Sequence, residues 1–321
     1  MRTRALAGLI WALALLAPLA QAQDVWPTRP VRIIVPYGAG GSLDLTVRLV
    51  AQRLAEQWHQ PVLVENRPGA NAIIGTELVI KAAPDGHTLG GGASPIHTAN
   101  RLLIANLSYD PDRDLTPIIL LARNPLFLVV HPSVPANTIA ELVNYSKANP
   151  TALSYGTVGP GSPQHVAFEQ LKARSGMLAL HVPYKAASAA MQDLIGGQIQ
   201  AVIDTTAMQQ VRSGKLKAIA VASDERFAGE PALPSFAEQG YAGFEFSGWF
   251  SLFGPRGLPR PLVERINADV NRVLALPAIR TRLLEVFTVP VGGTSEAFEA
   301  FIQSQTKMLA AAYRAAGIRP E

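Results

Sequence analysis

VPYGAGGSLD, Val35 to Asp44, is the stretch on which the fold turns. An apolar run, Val31–Val35, leads into it, and a helical pattern leaves it near Ser42. A strand, a glycine-rich turn and a helix are the layout of a phosphate-binding loop, or of any anion site at a helix N-terminus. The first N–H groups of a helix have no intrahelical partner, the helix dipole favours negative charge, and glycine lets the backbone approach a ligand closely. The nucleotide fingerprints are absent. No lysine follows Gly41, so there is no P-loop, and a Gly-x-Gly-x-x-Gly count begun at Gly38 ends on Leu43.

Outward from this turn, strand-length apolar runs alternate with helical patterns. A helix from Ser42 to Gln60 is stopped by Pro61, and Val62–Glu65 begins a strand. A second helix, Ala72–Ala83, ends at Pro84-Asp85-Gly86, before a short strand at His87–Gly90. Such β-α-β-α-β order argues for a largely parallel sheet with helices on its faces. Ile118–Val130 is apolar except at Arg123-Asn124-Pro125, and reads as two strands with a crossing between them. The alternation then restarts: a capping box at Thr138 and Glu141 opens a helix, and strands are expected at Ala152–Val158, Leu178–Tyr184, Ile199–Asp204 and Lys217–Ala222. Helices at Pro163–Ser175 and Ser188–Ile195 separate them. Ser223–Glu245 reads as a long connection, and the C-terminal part is helical with no sheet of its own. The chain therefore leaves one domain, builds a second and returns. The expected fold class is α/β, two domains with mostly parallel sheets and a cleft between them: residues 23–123 plus 243–321 form domain 1 and residues 124–242 domain 2.

The N-terminus is expected to be removed. Arg2 and Arg4 precede an apolar core, Ala5–Leu19, and Ala20-Gln21-Ala22 supplies small-x-small cleavage chemistry. Cleavage after Ala22 would export the chain, and a periplasmic location is expected. The 321-residue chain carries a net charge of +4, which gives no electrostatic case for nucleic acid. It has no cysteine, which excludes thiol catalysis and thiolate metal sites. The six histidines show no metal-ligand spacing, and no Gly-x-Ser-x-Gly elbow is present. No catalytic residue, metal or cofactor is expected.

Four strand ends share one design, a small-residue loop before a helical pattern. They are Gly38–Ser42, Gly91–Ser94 ahead of Ile96 and His97, Thr157–Ser162, and Asp204–Ala207. Ligands of open α/β sheets bind outside the carboxyl ends of strands. One such loop is ordinary structure, whereas four shared between two domains describe a cleft lined by backbone donors, which suits a small carboxylate. His97 and His165 each follow a loop and are weighed as cleft-lining against a polar structural role. Asp44, in a helix first turn, fits an electrostatic role better than a carboxylate contact. Asp204 stands between ligand, water and structural roles. Lys185 and Arg101 are the nearby cations, each better read as solvated or paired.

Several phrases, in order along the chain, now resemble one family: Val35-Pro36-Tyr37 with Gly40-Gly41 and Asp44; Val64-Glu65-Asn66-Arg67-Pro68-Gly69-Ala70; Ala83-Pro84-Asp85-Gly86-His87; Tyr109-Asp110-Pro111; His181-Val182-Pro183-Tyr184-Lys185; and Gly196-Gly197-Gln198. The sequence resembles the Bug, or TctC-like, substrate-binding receptors of tripartite tricarboxylate transporters. The resemblance implies a periplasmic Venus-flytrap fold of type II kind. It implies carboxylate ligands held by backbone amides and waters, and delivery to a permease of one large and one small subunit. Carried onto this chain, it implies ligand contacts at Tyr37, Gly40, Gly41 and Ser42; at Ser94, Ile96 and His97; at Thr157, Gly159, Gly161, Ser162 and His165; and at Asp204 and Thr205. Three departures stand out. Gly38 and Ala39 replace the family's prolines, Ala186 replaces a glycine that an αL turn would need, and Gly90-Gly91-Gly92 is unusual. A monomer is expected. The alternatives kept open are a ligand sensor docking on a signalling ectodomain and, on the same scaffold, a periplasmic enzyme.

Overall fold

The computed structural model describes residues 26–159, 162–244 and 246–315. The expected leader, residues 1–22, lies outside them.

Strand β1 (Val31–Val35) passes through the Gly-rich turn into α1 (Ser42–Trp58), followed by β2 (Val62–Asn66), α2 (Ile73–Ile80) and β3 (Thr88–Ala93). Val31, Ile33, Ile34 and Val35 are all buried, as befits a strand covered on both faces. Helix α1 lays Leu43, Val47, Val50 and Leu54 on one face of the sheet, at helical spacing. Short helices α3 (Ser94–His97), α4 (Ala99–Leu103) and α5 (Pro111–Asp114) lead to the long strand β4 (Leu115–Pro125), which runs on into β5 (Phe127–Val130) of a second sheet. There α6 (Ile139–Ala148), β6 (Ser154–Thr157), α7 (Pro163–Ser175), β7 (Leu180–Pro183), α8 (Ala187–Ile195), β8 (Ala201–Ile203), α9 (Met208–Arg212) and β9 (Lys217–Val221) complete the second lobe. The chain returns through β10 (Ser247–Pro255) and closes with α10 (Arg260–Ala275), α11 (Pro277–Glu285), β11 (Val289–Pro290) and α12 (Ser295–Ala315).

The sheets run β11-β4-β10-β3-β1-β2 and β7-β6-β8-β5-β9. Both are mixed. β1 lies parallel to β2 and β3, and β6 parallel to β7 and β8, while the strands that carry the chain between lobes pair antiparallel. The four strands that end in the small-residue loops, β1, β3, β6 and β8, thus all take part in parallel pairs. The crossing is a pair of adjacent antiparallel segments, with Ser247 opposite Pro125 and Gly248 opposite Asn124.

Helix α12 is a third tie between the lobes. Phe298 and Ile302 pack with Leu120 and Trp249 of the first sheet. Ala312 and Tyr313 belong to the core of the second lobe, with Phe236, Phe244 and Phe246. The expected boundary assigned that end of the chain to domain 1; its amphipathic pattern marks a buried face without saying which lobe it meets.

The triple glycine has a packing cause. A Cβ on Gly90 or Gly92 would come within 2.2 and 2.9 Å of the Phe253 ring, and one on Gly91 within 2.8 Å of Val47. Ala186 is extended (φ −149°, ψ 146°), so its side chain brings no strain.

Candidate functional site

Registers fix where the four loops lie. β10 runs antiparallel to β3, with Phe250 opposite Ala93 and Ser247 at the crossing, so the carboxyl ends of β3 and its parallel neighbour β1 point toward the second lobe. In that lobe Asp204, just past β8, donates its N–H to the Phe127 carbonyl at 2.9 Å. The carboxyl ends of β8 and β6 therefore point back toward the crossing. The first and second loops thus point toward the crossing strands from one lobe, and the third and fourth from the other.

The first loop is held from beneath. Gly40, at φ +82°, donates its N–H to Asp44 Oδ2 at 2.9 Å. Asp44 also accepts Arg48 Nε at 3.0 and 3.1 Å and Asn66 Nδ2 at 2.8 Å. The Asn66 amide further donates to the Tyr37 carbonyl at 3.1 Å, and Arg48 donates to Asn66 Oδ1 at 2.7 Å. Burial alone would raise the Asp44 pKa; the hydrogen bonds from Arg48, Gly40 and Asn66 outweigh it and hold the carboxyl below its ordinary value. Asp44 is therefore the internal brace of the loop, neutralised by Arg48. Gly41 is the N-cap of α1, and among the described residues no side chain caps that helix. The leading amides of Gly41, Ser42 and Leu43 are thus left for a ligand or solvent. Gly38 to Gly41 are exposed, Ser42 half-buried. Tyr37 is half-buried, and desolvation pushes its phenol well above the ordinary value.

The second loop behaves differently. Ser94 is half-buried at the start of α3, but Ile96 and His97 turn inward and are buried. His97 Nε2 lies 3.0 Å from Ser251 Oγ, and its ring stacks on Trp249 at 5.5 Å between the edges of Phe253 and Phe298. Desolvation lowers its pKa to about 3, so it is neutral. The side chains of Ile96 and His97 are core, which corrects their reading as cleft-lining. A buried imidazole needs a polar partner, and Ser251 supplies it.

In the third loop Thr157 is buried, with Oγ1 2.7 Å from His181 Nε2 and accepting the Gly159 N–H at 3.1 Å. Gly159 takes φ +117°, which favours glycine. Ser162 caps α7 by accepting the His165 N–H at 3.2 Å. Gly161 lies outside the described residues. The half-buried His165 ring stacks on His181 at 4.2 Å; desolvation lowers both pKa values. Their stack continues through Tyr155 to Phe168. In the fourth loop Asp204 Oδ2 accepts Gln164 Nε2 at 2.9 Å and Oδ1 accepts the Thr206 N–H at 2.7 Å. Thr205 is buried, its hydroxyl against Asn124 Oδ1 and the Pro125 carbonyl, bracing β8 on the crossing.

The strand registers thus turn the loops of both lobes toward the crossing, and burial sorts their residues. Exposed or half-buried positions remain at Tyr37, Gly40, Gly41, Ser42, Ser94, Gly159, Ser162, His165 and Asp204, while Thr157 and Thr205 are braces beneath them. Arg48, Gln164 and His181 were missed as supports. Only Arg48 had a sequence signal, its i,i+4 spacing from Asp44. Of the two cations considered, Arg101 is paired with Asp110 and Asp112 at 3.4 and 2.7 Å, and Lys185 is exposed. Among the described residues no group of three His, Asp or Glu could hold a metal, and no helix is long and apolar enough to cross a membrane.

Residues 46–318 match the family model of the tripartite tricarboxylate transporter family receptor, TctC. The chain belongs to this family. Its receptor relatives include protein BugT of Bordetella pertussis, 32% identical over 321 residues, covering 99% of this chain and 98% of BugT. An R. palustris protein solved with adipate superimposes with a TM-score of 0.81 at 33% identity, covering 92% of this chain and all of that one. MatC from Rhodopseudomonas palustris, with bound malate, gives 0.73 at 31%, covering 89% and 99%. The fold is that of periplasmic binding proteins. The family is one of substrate-binding receptors rather than enzymes, and its members are periplasmic.

Proposed function

We propose that this receptor captures a small organic carboxylate between its lobes, closes on it by bending at the crossing strands, and presents it to a membrane permease of one large and one small subunit. The observation that carries this reading is the uncapped turn at Gly41, at the carboxyl end of a parallel strand that points toward the second lobe. Moving a carboxylate out of water is costly unless several N–H donors receive it. One lobe offers only part of that set, so the second lobe gains differential affinity by closing. The charge of Asp44 is spent on Gly40, Arg48 and Asn66, so it does not repel the ligand as a bare anion would. Adipate and malate in relatives support a dicarboxylate as the first candidate. Residues 1–22 act as a leader cleaved after Ala22, placing the mature receptor in the periplasm.

Thermal unfolding of the mature chain, residues 23–321, against succinate, malate, adipate, citrate, aspartate, glutamate, nicotinate and phthalate tests the ligand class. A ligand at about 100 times its Kd adds roughly 2.7 kcal/mol, which appears as a clear rise in Tm. A stabilising carboxylate that is not consumed fits a receptor. No shift across the panel would remove the carboxylate assignment.

A further inference from the structure

The crossing strands have a second side. In each sheet the loops of the cleft lie toward β2 or β7, whereas β11 and β9 form the opposite edges. Between those opposite edges lies a cavity of about 530 Å³. Arg123, Pro125, Ser247 and Val289 line it from the first lobe and the crossing, and Phe227 and Ala228 from the second. Its floor is firm, because Phe227 packs edge-on against Phe127 at 5.6 Å, with Phe287 6.1 Å away. Its charged rim is largely engaged within the protein. Arg226 Nε holds Glu238 at 2.8 and 3.0 Å, Asp224 Oδ1 accepts the Gly243 N–H at 2.7 Å, and the Arg123 guanidinium lies 5.0 Å from the centre of the Phe301 ring. The volume falls in the range of small-molecule sites, about 300–1,000 Å³, which favour domain interfaces.

We propose that this space behind the hinge is a second binding site, for an uncharged or zwitterionic small molecule with an apolar body, and that its occupancy favours closure of the front cleft. The inference rests on the closure reading above. The pivot at Pro125 and Ser247 lies between the two openings, so rotation that brings the loops of β1 and β3 toward those of β6 and β8 draws β11 away from β9. Closing the front widens the back. A body that fits the widened space binds the closed form better, and linkage then requires it to tighten carboxylate binding by the same factor.

Two wedge substitutions, one rooted in each lobe, test this: Ala228→Trp, at an exposed rim position, and Val289→Phe, at a half-buried one. Carboxylate Kd is measured by calorimetry, with small-angle scattering of the ligand-free proteins and titration with the neutral dye N-phenyl-1-naphthylamine. The expected result is carboxylate affinity about fivefold or more tighter in the variants, a smaller ligand-free radius of gyration, and dye fluorescence that rises with the wild type and is lost with Ala228→Trp. Unchanged or weaker carboxylate affinity, with unchanged scattering, overturns the coupling. Equal dye fluorescence in wild type and Ala228→Trp overturns the site. If the wild type binds no carboxylate, it is the receptor reading that fails, and the scattering and dye arms still decide the pocket.

Discussion

The first and second loops leave neighbouring parallel-side strands of one sheet, and both are small-residue turns entering a helix. Yet one leaves its backbone exposed and the other sends its side chains into the core. The difference lies in what each turn is tied to. Asp44, Arg48 and Asn66 hold the first turn from below, so its glycines need no packing of their own and stay exposed. The second turn is held from the core side instead: His97 is wedged against Trp249 and bonded to Ser251, and the Tyr109 hydroxyl donates to the Ile96 carbonyl at 2.9 Å. A turn motif specifies a change of direction, whereas its supports decide which groups face the ligand.

Substitutions in the two loops should therefore have separable effects. The largest is expected at Gly41, where a side chain meets open space, with only the Gly38 carbonyl oxygen at 3.9 Å, and the backbone φ is −75°. Gly41→Asp should fold normally yet lose carboxylate affinity by about 100-fold or more, because it places a negative charge at the amides. Calorimetry with the stabilising carboxylate checks this, and wild-type affinity would remove the first loop from the site. His97→Ala should do the reverse. A cavity among Trp249, Phe253 and Phe298 costs about 3 kcal/mol of unfolding free energy, with carboxylate affinity retained to within a few-fold.

Asp44→Asn sharpens the comparison from the other side. Loss of the charge-assisted bonds should cost about 2 kcal/mol at neutral pH, and weaken binding through the loosened turn. Because the folded pKa of Asp44 is depressed, its contribution is present above the ordinary aspartate range and fades as pH falls through the lower folded value. The Tm gap between wild type and Asp44→Asn should accordingly narrow below about pH 3.9. His97 acts over a different window. Its folded pKa of about 3 lies below the unfolded value near 6.5, so the unfolded chain binds the extra proton between them. Stability should fall on acidification through that window, with a slope approaching 1.4 kcal/mol per pH unit from this group. His97→Gln, which keeps a polar partner for Ser251, should show a shallower decline in Tm between pH 6.5 and 4.

Much of this was legible in the sequence for stated reasons. Val31–Val35 is apolar throughout, and Thr138 with Glu141 forms the capping box that opens α6: the Thr138 hydroxyl accepts the Glu141 N–H at 3.1 Å, and the Glu141 carboxylate reaches back to the Asn137 N–H. The interruption at Arg123-Asn124-Pro125 falls at the end of β4, where the chain passes between sheets. Residues whose roles depend on distant partners were not legible. Nothing near His97 announces Ser251, 154 positions away, and nothing near Asp204 singles out Gln164, 40 positions earlier. The destination of α12 was hidden for the same reason: its apolar stripe is continuous, but it serves two cores.

The central claim is that two lobes close on a carboxylate. Small-angle X-ray scattering of the mature chain with each carboxylate of the panel at saturating concentration tests it most directly. The account predicts that the ligand which raises Tm also reduces the radius of gyration, and that Gly41→Asp abolishes both responses. A carboxylate that raises Tm while leaving the scattering curve unchanged would contradict closure, and one that acts equally on Gly41→Asp would contradict the site.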